Sequence, residues 1–410
     1  MADKISFEPP RGMRDFYPAD MVWRNKVFDA FRASGEAAGF QPYDACVVEN
    51  YELLERKSGE EVGSQIYHFQ DKSDRHLALR PEMTPTLARM VAQKQKELSF
   101  PIKWTTIAQC FRYERMTKGR KREHYQWNID IIGEESVMAE VEILSAAVDA
   151  LCRMGLSKSD FKVHVSSRKF LGQLLEKSGI APEKHAQVFL ALDKRGKMPD
   201  AEIAAMLKDG SLSDEEVAAT FAIMDLKSFE GCPELEELFR LAKVAGFADC
   251  LEFDISVIRG LSYYTGIVFE CFDVAREFRA IFGGGRYDNL LTSIGGEKAT
   301  AVGLGFGDVV VTELLKSRLG DTAISAKKGY TIGYMFAEQR EAALKFASSL
   351  RARGEKVDLA LAPQKPKKFF SRANQSGALY ASFIGPDDVQ QGVVRVKNLE
   401  TSTESKEELV

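Results

Sequence analysis

Phe111-Arg112-Tyr113-Glu114-Arg115, followed by Gly119-Arg120 and then His124-Tyr125-Gln126-Trp127-Asn128-Ile129-Asp130, reads as two strands joined by a basic turn. Alternate residues of a strand share a face. Arg112 and Glu114 therefore point one way and Tyr113 the other. On the return strand Gln126, Asn128 and Asp130 oppose Tyr125, Trp127 and Ile129. A simply solvated hairpin fits that pattern. A bound ligand fits it better, because so many polar groups on one face of a central strand need partners. The turn from Met116 to Arg122 points the same way: Lys118, Arg120, Lys121 and Arg122 surround Gly119, a charge density suited to phosphate.

Outward from the hairpin, residues 20–40 have helical spacing (Val22, Val27, Phe28, Phe31, Ala38) closed by Gly39. Residues 43–54 and 65–70 read as strands. Arg80-Pro81-Glu82 opens a helix from Thr84 to Lys96, with Pro81 suited to an early helical position and Thr84 or Thr86 to capping. A helix covers 137–152. Residues 166–247 are almost wholly helical in period, broken at Gly179, Pro182, Gly196, Pro199 and Gly210. Strand signals return at 254–259, 263–273 and 278–283, then a strand and helix at 301–316. Residues 319–329 read as a linker. Strands and helices alternate from 329 to a last hairpin near 391–400, which implies a small α/β domain with a mixed sheet. The tail Thr401–Val410 is polar and expected to fray.

The chain has 410 residues, 45% hydrophobic and 28% charged, enough for two or three domains. No stretch approaches the roughly 18 apolar residues of a membrane span, and Met1–Pro10 reads as neither a secretory signal nor a transit peptide. Its six cysteines are scattered without a CxxC pair, which argues against metal and disulfide frameworks and for a reducing cytoplasm. With a net charge of −4, a nucleic-acid partner needs local basic patches. Two exist, the 116–122 turn and Lys365, Lys367, Lys368 and Arg372.

Five further segments carry chemistry, each with a plainer alternative. Glu82 and Thr84 suit an ammonium group, or an ordinary helix start. Arg259 in Ile258-Arg259-Gly260-Leu261-Ser262-Tyr263-Tyr264 suits charge developing on a phosphate; the alternative is a hairpin with core aromatics. Gly283-Gly284-Gly285-Arg286-Tyr287-Asp288 allows close ligand approach, or is a flexible turn. Gly303, Gly305 and Gly307 lack the spacing and context of a dinucleotide fingerprint. They suit an adenine or ribose lying flat on the sheet, or tight strand–helix packing. Lys365-Pro366-Lys367-Lys368-Phe369-Phe370-Ser371-Arg372 interleaves charge and aromatics as an RNA contact does, or is a solvated helix with phenylalanine in the core.

In this order the segments resemble histidyl-tRNA synthetases of class II, from Arg11-Gly12-Met13-Arg14-Asp15-Phe16 to Val396-Lys397-Asn398-Leu399. The hairpin resembles motif 2, the Arg259 and Gly283–Asp288 segments resemble the two histidine signatures, and 301–315 occupies the place of motif 3. The resemblance implies an α+β fold: a class II synthetase-like antiparallel-sheet catalytic domain (1–165 and 248–322), a helical insertion (166–247), and an α/β anticodon-binding domain with a mixed sheet (329–410). It implies a homodimer that activates L-histidine with ATP, accompanied by Mg2+, and transfers it to tRNA(His). Arg112 would hold the α-phosphate, Glu114 the adenine edge, and Arg120 the distal phosphates. Arg259 would stabilise the pentacoordinate phosphorus. Glu82, Thr84 and Gln126 would fix the α-amino end, Asp130 and Tyr264 would bracket the imidazole, and Tyr263 would pack beside them. Lys365, Lys367, Lys368 and Arg372 would meet tRNA.

Three residues depart from the pattern: Asp130 replaces a glutamate, Ser262 replaces an aspartate, and Gly307-Asp308-Val309-Val310 lacks the arginine of motif 3. Arg279, read as strand just before the glycine run, is the candidate to supply that charge. Its alternative is a surface arginine. The rival functions are a synthetase-like regulatory subunit of histidine biosynthesis and a catalytically silent RNA-binding or histidine-sensing paralogue. The regulatory paralogues generally lack the anticodon-binding domain, whereas 329–410 is present here.

Overall fold

The computed structural model describes residues 6–55, 63–117, 119–195, 198–258, 263–320 and 328–409. The chain forms two compact units, Met1–Leu319 and Gly320–Val410.

An eight-stranded sheet organises the first unit. Its order is Gln41–Pro42, Ile102–Phe111, Glu123–Ile132, Ala301–Gly307, Phe282–Arg286, Ile267–Asp273, Phe161–Ser167, Leu251–Phe253. Pairing is antiparallel through the centre, and the two edge strands join in parallel, so the sheet is mixed. The hairpin lies inside it, with Asp130 opposite both Trp104 and Gly303.

Burial of the apolar face explains the hairpin's position. The Trp127 ring stacks on Phe31 of helix Pro18–Ala37 at 4.8 Å, and Tyr125 meets Phe28 of the same helix at 5.2 Å. That helix buries Trp23, Val27, Phe28, Ala30 and Phe31, the spacing of one helical face. Val22, expected on that face, is exposed. The outgoing strand ends at Phe111. Arg112 N–H still donates to Arg122 carbonyl (2.9 Å), but Tyr113 N–H turns to Gln65 carbonyl (2.7 Å). The alternation expected through Glu114 is therefore broken.

Other boundaries shift for local reasons. Tyr51–Glu55 is helical within the expected strand 43–54, and the small sheet beside it holds Val48–Asn50, His76–Leu79 and Tyr67–Gln70. Helix Thr84–Lys94 takes Pro85 in its first turn, not Pro81, and has no side-chain cap. The helical run starts at Arg168, because Ser166 and Ser167 finish a sheet strand and the Ser167 hydroxyl caps Phe170 N–H at 3.0 Å. Residues 254–258 and 263–266 are not strand. Residues 278–281 are not either: the Asp273 carboxylate accepts from the N–H groups of Glu277 and Phe278, each at 3.0 Å, and closes a turn.

The second unit has a five-stranded sheet in the order Val357–Leu359, Tyr330–Tyr334, Tyr380–Ile384, Val393–Asn398, Glu404–Glu408. The first three strands are parallel and the last two antiparallel. Helices Arg340–Ala352 and Pro366–Gln375 pack on it around Ile332, Tyr334, Phe346, Leu350 and Phe369. The tail expected to fray pairs as an edge strand. Asn398 Oδ1 accepts from Glu400 and Thr401 N–H (2.9 and 3.0 Å) and turns the chain back. Edge charges such as Glu404, Lys406 and Glu408 suit that position.

Candidate active site

The glycine strand Ala301–Gly307 and the return strand Glu123–Ile132 build one wall of the site together. A side chain on Gly303 would overlap Asp130 Oδ1, and one on Gly305 would lie 2.6 Å from Gln126 Nε2. The space above Gly303 and Gly305 is occupied by Asp130 and Gln126, which leaves no room there for a nucleoside lying flat, whereas a side chain placed on Gly307 would meet nothing within 4 Å.

Asp130 is only 2% exposed. Tyr287 O–H donates to its Oδ1 at 2.5 Å, while Oδ2 is buried with no partner among the described residues. Burial pushes the carboxyl up to about 7; the Tyr287 hydrogen bond opposes this and the charge of Glu82 adds to it. The Tyr43 hydroxyl is likewise buried without a described partner. Burial, then the charge of Asp130, raises it well above the usual phenol range. Tyr263 O–H donates to Glu82 Oε2 at 3.1 Å, and its ring meets Tyr287 edge-on at 5.8 Å. Thr84 is buried at the first position of its helix.

Glu82, Asp130, Tyr263, Tyr287 and Tyr43 thus form a buried polar cluster with acceptors and phenols facing inward. Buried polar atoms without partners mark a place where something else binds. Tyr264 packs in the apolar cluster with Leu87, Val257 and Tyr287; the hydroxyl on Asp130 comes from Tyr287. No local signal marks Tyr43. Tyr287 lies inside the glycine-rich segment, but its reach to Asp130 becomes visible only once the strands pair. Its neighbour Arg286 is structural, with two 2.7 Å hydrogen bonds to Glu140 and others to Glu134 and Ser136 carbonyls (3.1 and 3.0 Å).

Towards the hairpin turn the site becomes basic. Arg112 Nε donates to Pro81 carbonyl at 2.9 Å. Arg120 pairs with Glu114 at 3.0 Å, and Arg122 lies over the Tyr113 ring at 3.8 Å. Arg279 sits on the bend before strand Phe282–Arg286. Asp308 is tied to Arg14 (2.9 Å) and to Tyr125 N–H (2.9 Å). Arg259, Lys118 and Ser262 lie outside the described residues, as does most of the expected 319–329 linker. In the second unit Phe369 is fully buried and Phe370 packs against it and Phe383, so the aromatics expected to stack on RNA belong to the core. Lys365, Lys367 and Lys368 are exposed at the start of the same helix and Arg372 in its last turn, with Arg372 at 3.4 Å from Asp358.

A sheet antiparallel through its centre, a polar hairpin ending in a basic turn, a glycine strand entering a helix, and a separate mixed α/β unit are the architecture of class II aminoacyl-tRNA synthetases. The family model described as histidyl-tRNA synthetase matches residues 12–307, and one described as anticodon binding domain matches 324–409. The chain belongs to the histidyl-tRNA synthetase family. It is 42% identical over 407 residues to the chloroplastic/mitochondrial histidine–tRNA ligase of Arabidopsis thaliana, covering 97% of this chain and 84% of that one. Against the histidine–tRNA ligase of Leptospira biflexa it is 37% identical over 416 residues, covering 97% and 94%. The solved histidyl-tRNA synthetase of Nostoc sp. PCC 7120 superposes with a TM-score of 0.82 at 22% identity, covering 99% of this chain and 97% of that one, a likeness of fold.

Proposed function

We propose that the chain is a histidine–tRNA ligase. The observation that carries the reading is the buried Asp130 carboxylate, held on one oxygen by Tyr287 with the other left for a ligand donor. An imidazole N–H satisfies it, and the Tyr43 hydroxyl stands ready for a second polar contact. A side chain without such nitrogens would leave these groups desolvated and unpaired, which is how the site rejects it. Glu82, Thr84 and Gln126 take the α-amino end. Arg112 orients the α-phosphate, and Glu114 the adenine. Arg259 is assigned from sequence to the charge that grows on the α-phosphorus.

In the first step an oxygen of the histidine carboxylate bonds to the α-phosphorus of ATP and the bond to pyrophosphate breaks. In the second, a hydroxyl of the terminal tRNA ribose attacks the acyl carbon, loses its proton, and AMP leaves. No cluster of three acidic, imidazole or thiolate ligands occurs among the described residues. Mg2+ would enter with the ATP substrate, held by its phosphates. The exposed cations at Lys365, Lys367, Lys368 and Arg372 supply a salt-sensitive contact to tRNA(His). We further propose a cytoplasmic homodimer. No helix among the described residues is long and apolar enough to cross a membrane.

Histidine-dependent exchange of pyrophosphate into ATP, followed by charging of tRNA(His), tests the reading. Absence of exchange with folded, purified protein overturns it. Exchange without charging favours the histidine-sensing alternative.

A further inference from the structure

Three segments far apart in sequence meet beyond the end of the glycine strand. A Cβ placed on Gly119 of the hairpin turn would lie 3.3 Å from Val310 Cγ2 and 3.9 Å from Arg279 Cδ. The segments border a half-open cavity of about 210 Å³ lined by Gly119, Glu277, Phe278, Arg279, Val310 and Glu313. Val310 stands where the resemblance leads one to look for an arginine, and it brings no charge.

The charge comes from the bend. Arg279, though solvent-exposed, is held below the ordinary guanidinium range by partial desolvation and then by the like charge of Arg120, with Glu114 opposing. Glu114 is already paired with Arg120 at 3.0 Å. Glu277 and Glu313 also line the cavity, and Glu313 Oε2 is buried with no partner among the described residues. Arg120 is thus held by Glu114, whereas Arg279 beside it has no ion pair among the described residues and keeps its N–H groups for a ligand. Folding gains nothing from the repulsion between the two guanidiniums, whereas a bound polyanion removes it. Guanidinium is also the side-chain group best shaped for paired hydrogen bonds to phosphate oxygens.

We propose that Arg279 and Arg120 form a two-arginine clamp for the terminal phosphates of the nucleotide, with Arg279 supplying the charge that position 310 lacks. The proposal rests on the ATP-dependent reading above. On nucleotide entry Arg120 exchanges the Glu114 carboxylate for phosphate, and Glu114 is released to accept from the adenine amino group. The Glu114–Arg120 pair then serves as a placeholder that keeps the turn ordered while the site is empty.

Titration of the full-length protein with ATP and with AMP tests the clamp without requiring catalysis. Arg279→Ala is expected to weaken ATP binding by on the order of 10- to 100-fold, the size of a charged hydrogen-bond pair. AMP binding, which lacks those phosphates, should change less than about twofold. In pyrophosphate exchange the KM for ATP should rise by a similar factor while that for histidine stays within about twofold. Because Val310 lines the same cavity, Val310→Arg in the Arg279→Ala background should recover most of the loss. Arg279 is exposed and has no ion pair among the described residues, so the variant should fold, which circular dichroism checks. Equal weakening of ATP and AMP, unchanged ATP binding, or failure of Val310→Arg to rescue would each overturn the clamp. If wild-type protein binds ATP but does not exchange pyrophosphate, the synthetase reading fails, while the ATP-to-AMP comparison still judges the clamp.

Discussion

Asp130→Asn is the most exacting test of the histidine site, because its effect on stability has a calculable pH dependence. In the folded protein burial raises the Asp130 carboxyl from the ordinary 3.8 to about 7. Between those values the folded state holds a proton that the unfolded chain has released. Stability therefore falls as pH rises through this window, and the loss is complete above about 7. About three pKa units at 1.36 kcal/mol each correspond to roughly 4 kcal/mol in full, of which about 2.5 kcal/mol develops between pH 5 and pH 8. Asparagine has no proton to lose. It does turn an N–H2 towards the Oδ2 position or away from Tyr287, which adds a pH-independent offset. The diagnostic quantity is therefore the slope of the difference, not its absolute value. Urea unfolding of both proteins at half-unit steps from pH 5 to 8 should show the variant gaining on wild type by about 2–3 kcal/mol. At pH 8, where wild-type Asp130 is ionised, its histidine KM in pyrophosphate exchange should be on the order of 10- to 100-fold higher, because a charged acceptor has become a neutral amide, and the gap should narrow towards pH 5 as Asp130 takes up its proton. A difference in stability that does not change with pH would refute the reasoning: it would mean that Asp130 is ionised at low cost and is not held for a ligand.

Three other substitutions follow from the same geometry. Tyr287→Phe removes the donor to Asp130 Oδ1; the histidine KM in pyrophosphate exchange should rise about tenfold with a smaller change in kcat. Glu140→Ala strands the buried Arg286 guanidinium; chemical denaturation should report a loss of about 3–5 kcal/mol. Gly303→Ala drives a methyl group into Asp130 Oδ1 and to 2.9 Å from Tyr287 Cε1. Histidine activation should fall at least about 100-fold, as expected for displaced reacting groups, while ATP binding measured by titration is retained.

The hairpin was legible because strand alternation and side-chain chemistry agree: Trp127 and Ile129 demanded an apolar cover, and Gln126 and Asp130 demanded polar partners. The helical run after Ser167 and the alternating unit after the linker were legible from period alone. What sequence could not supply was register. Nothing local says that Gly303 lies opposite Asp130, so the glycine strand reads as a flat surface when it is a slot for a carboxylate. Nor does Phe369 differ locally from an exposed stacking residue. Its burial follows from Gly333, where any side chain would press into the phenylalanine ring. The edge strand Glu404–Glu408 was missed because its stability comes from pairing with Val393–Asn398 and not from its own charged composition.

The two departures closest to the chemistry have a common location once the strands are paired. Aspartate at 130 is a methylene shorter than the expected glutamate, and Tyr287 fixes it in place from the residue that follows strand Phe282–Arg286. Valine at 310 lacks the expected charge, and the proposed replacement, Arg279, lies on the bend that precedes the same strand. Arg286, at the end of that strand, is locked to Glu140 and to two main-chain carbonyls, so the strand is a fixed beam with one functional residue at each end. With the strand anchored through Arg286, small changes beyond its ends are expected to act separately on the proposed histidine end and the proposed phosphate end. This predicts that effects of Tyr287→Phe and Arg279→Ala combine additively in free energy, one acting on histidine and the other on ATP. Loosening the beam with Glu140→Gln should raise both KM values together.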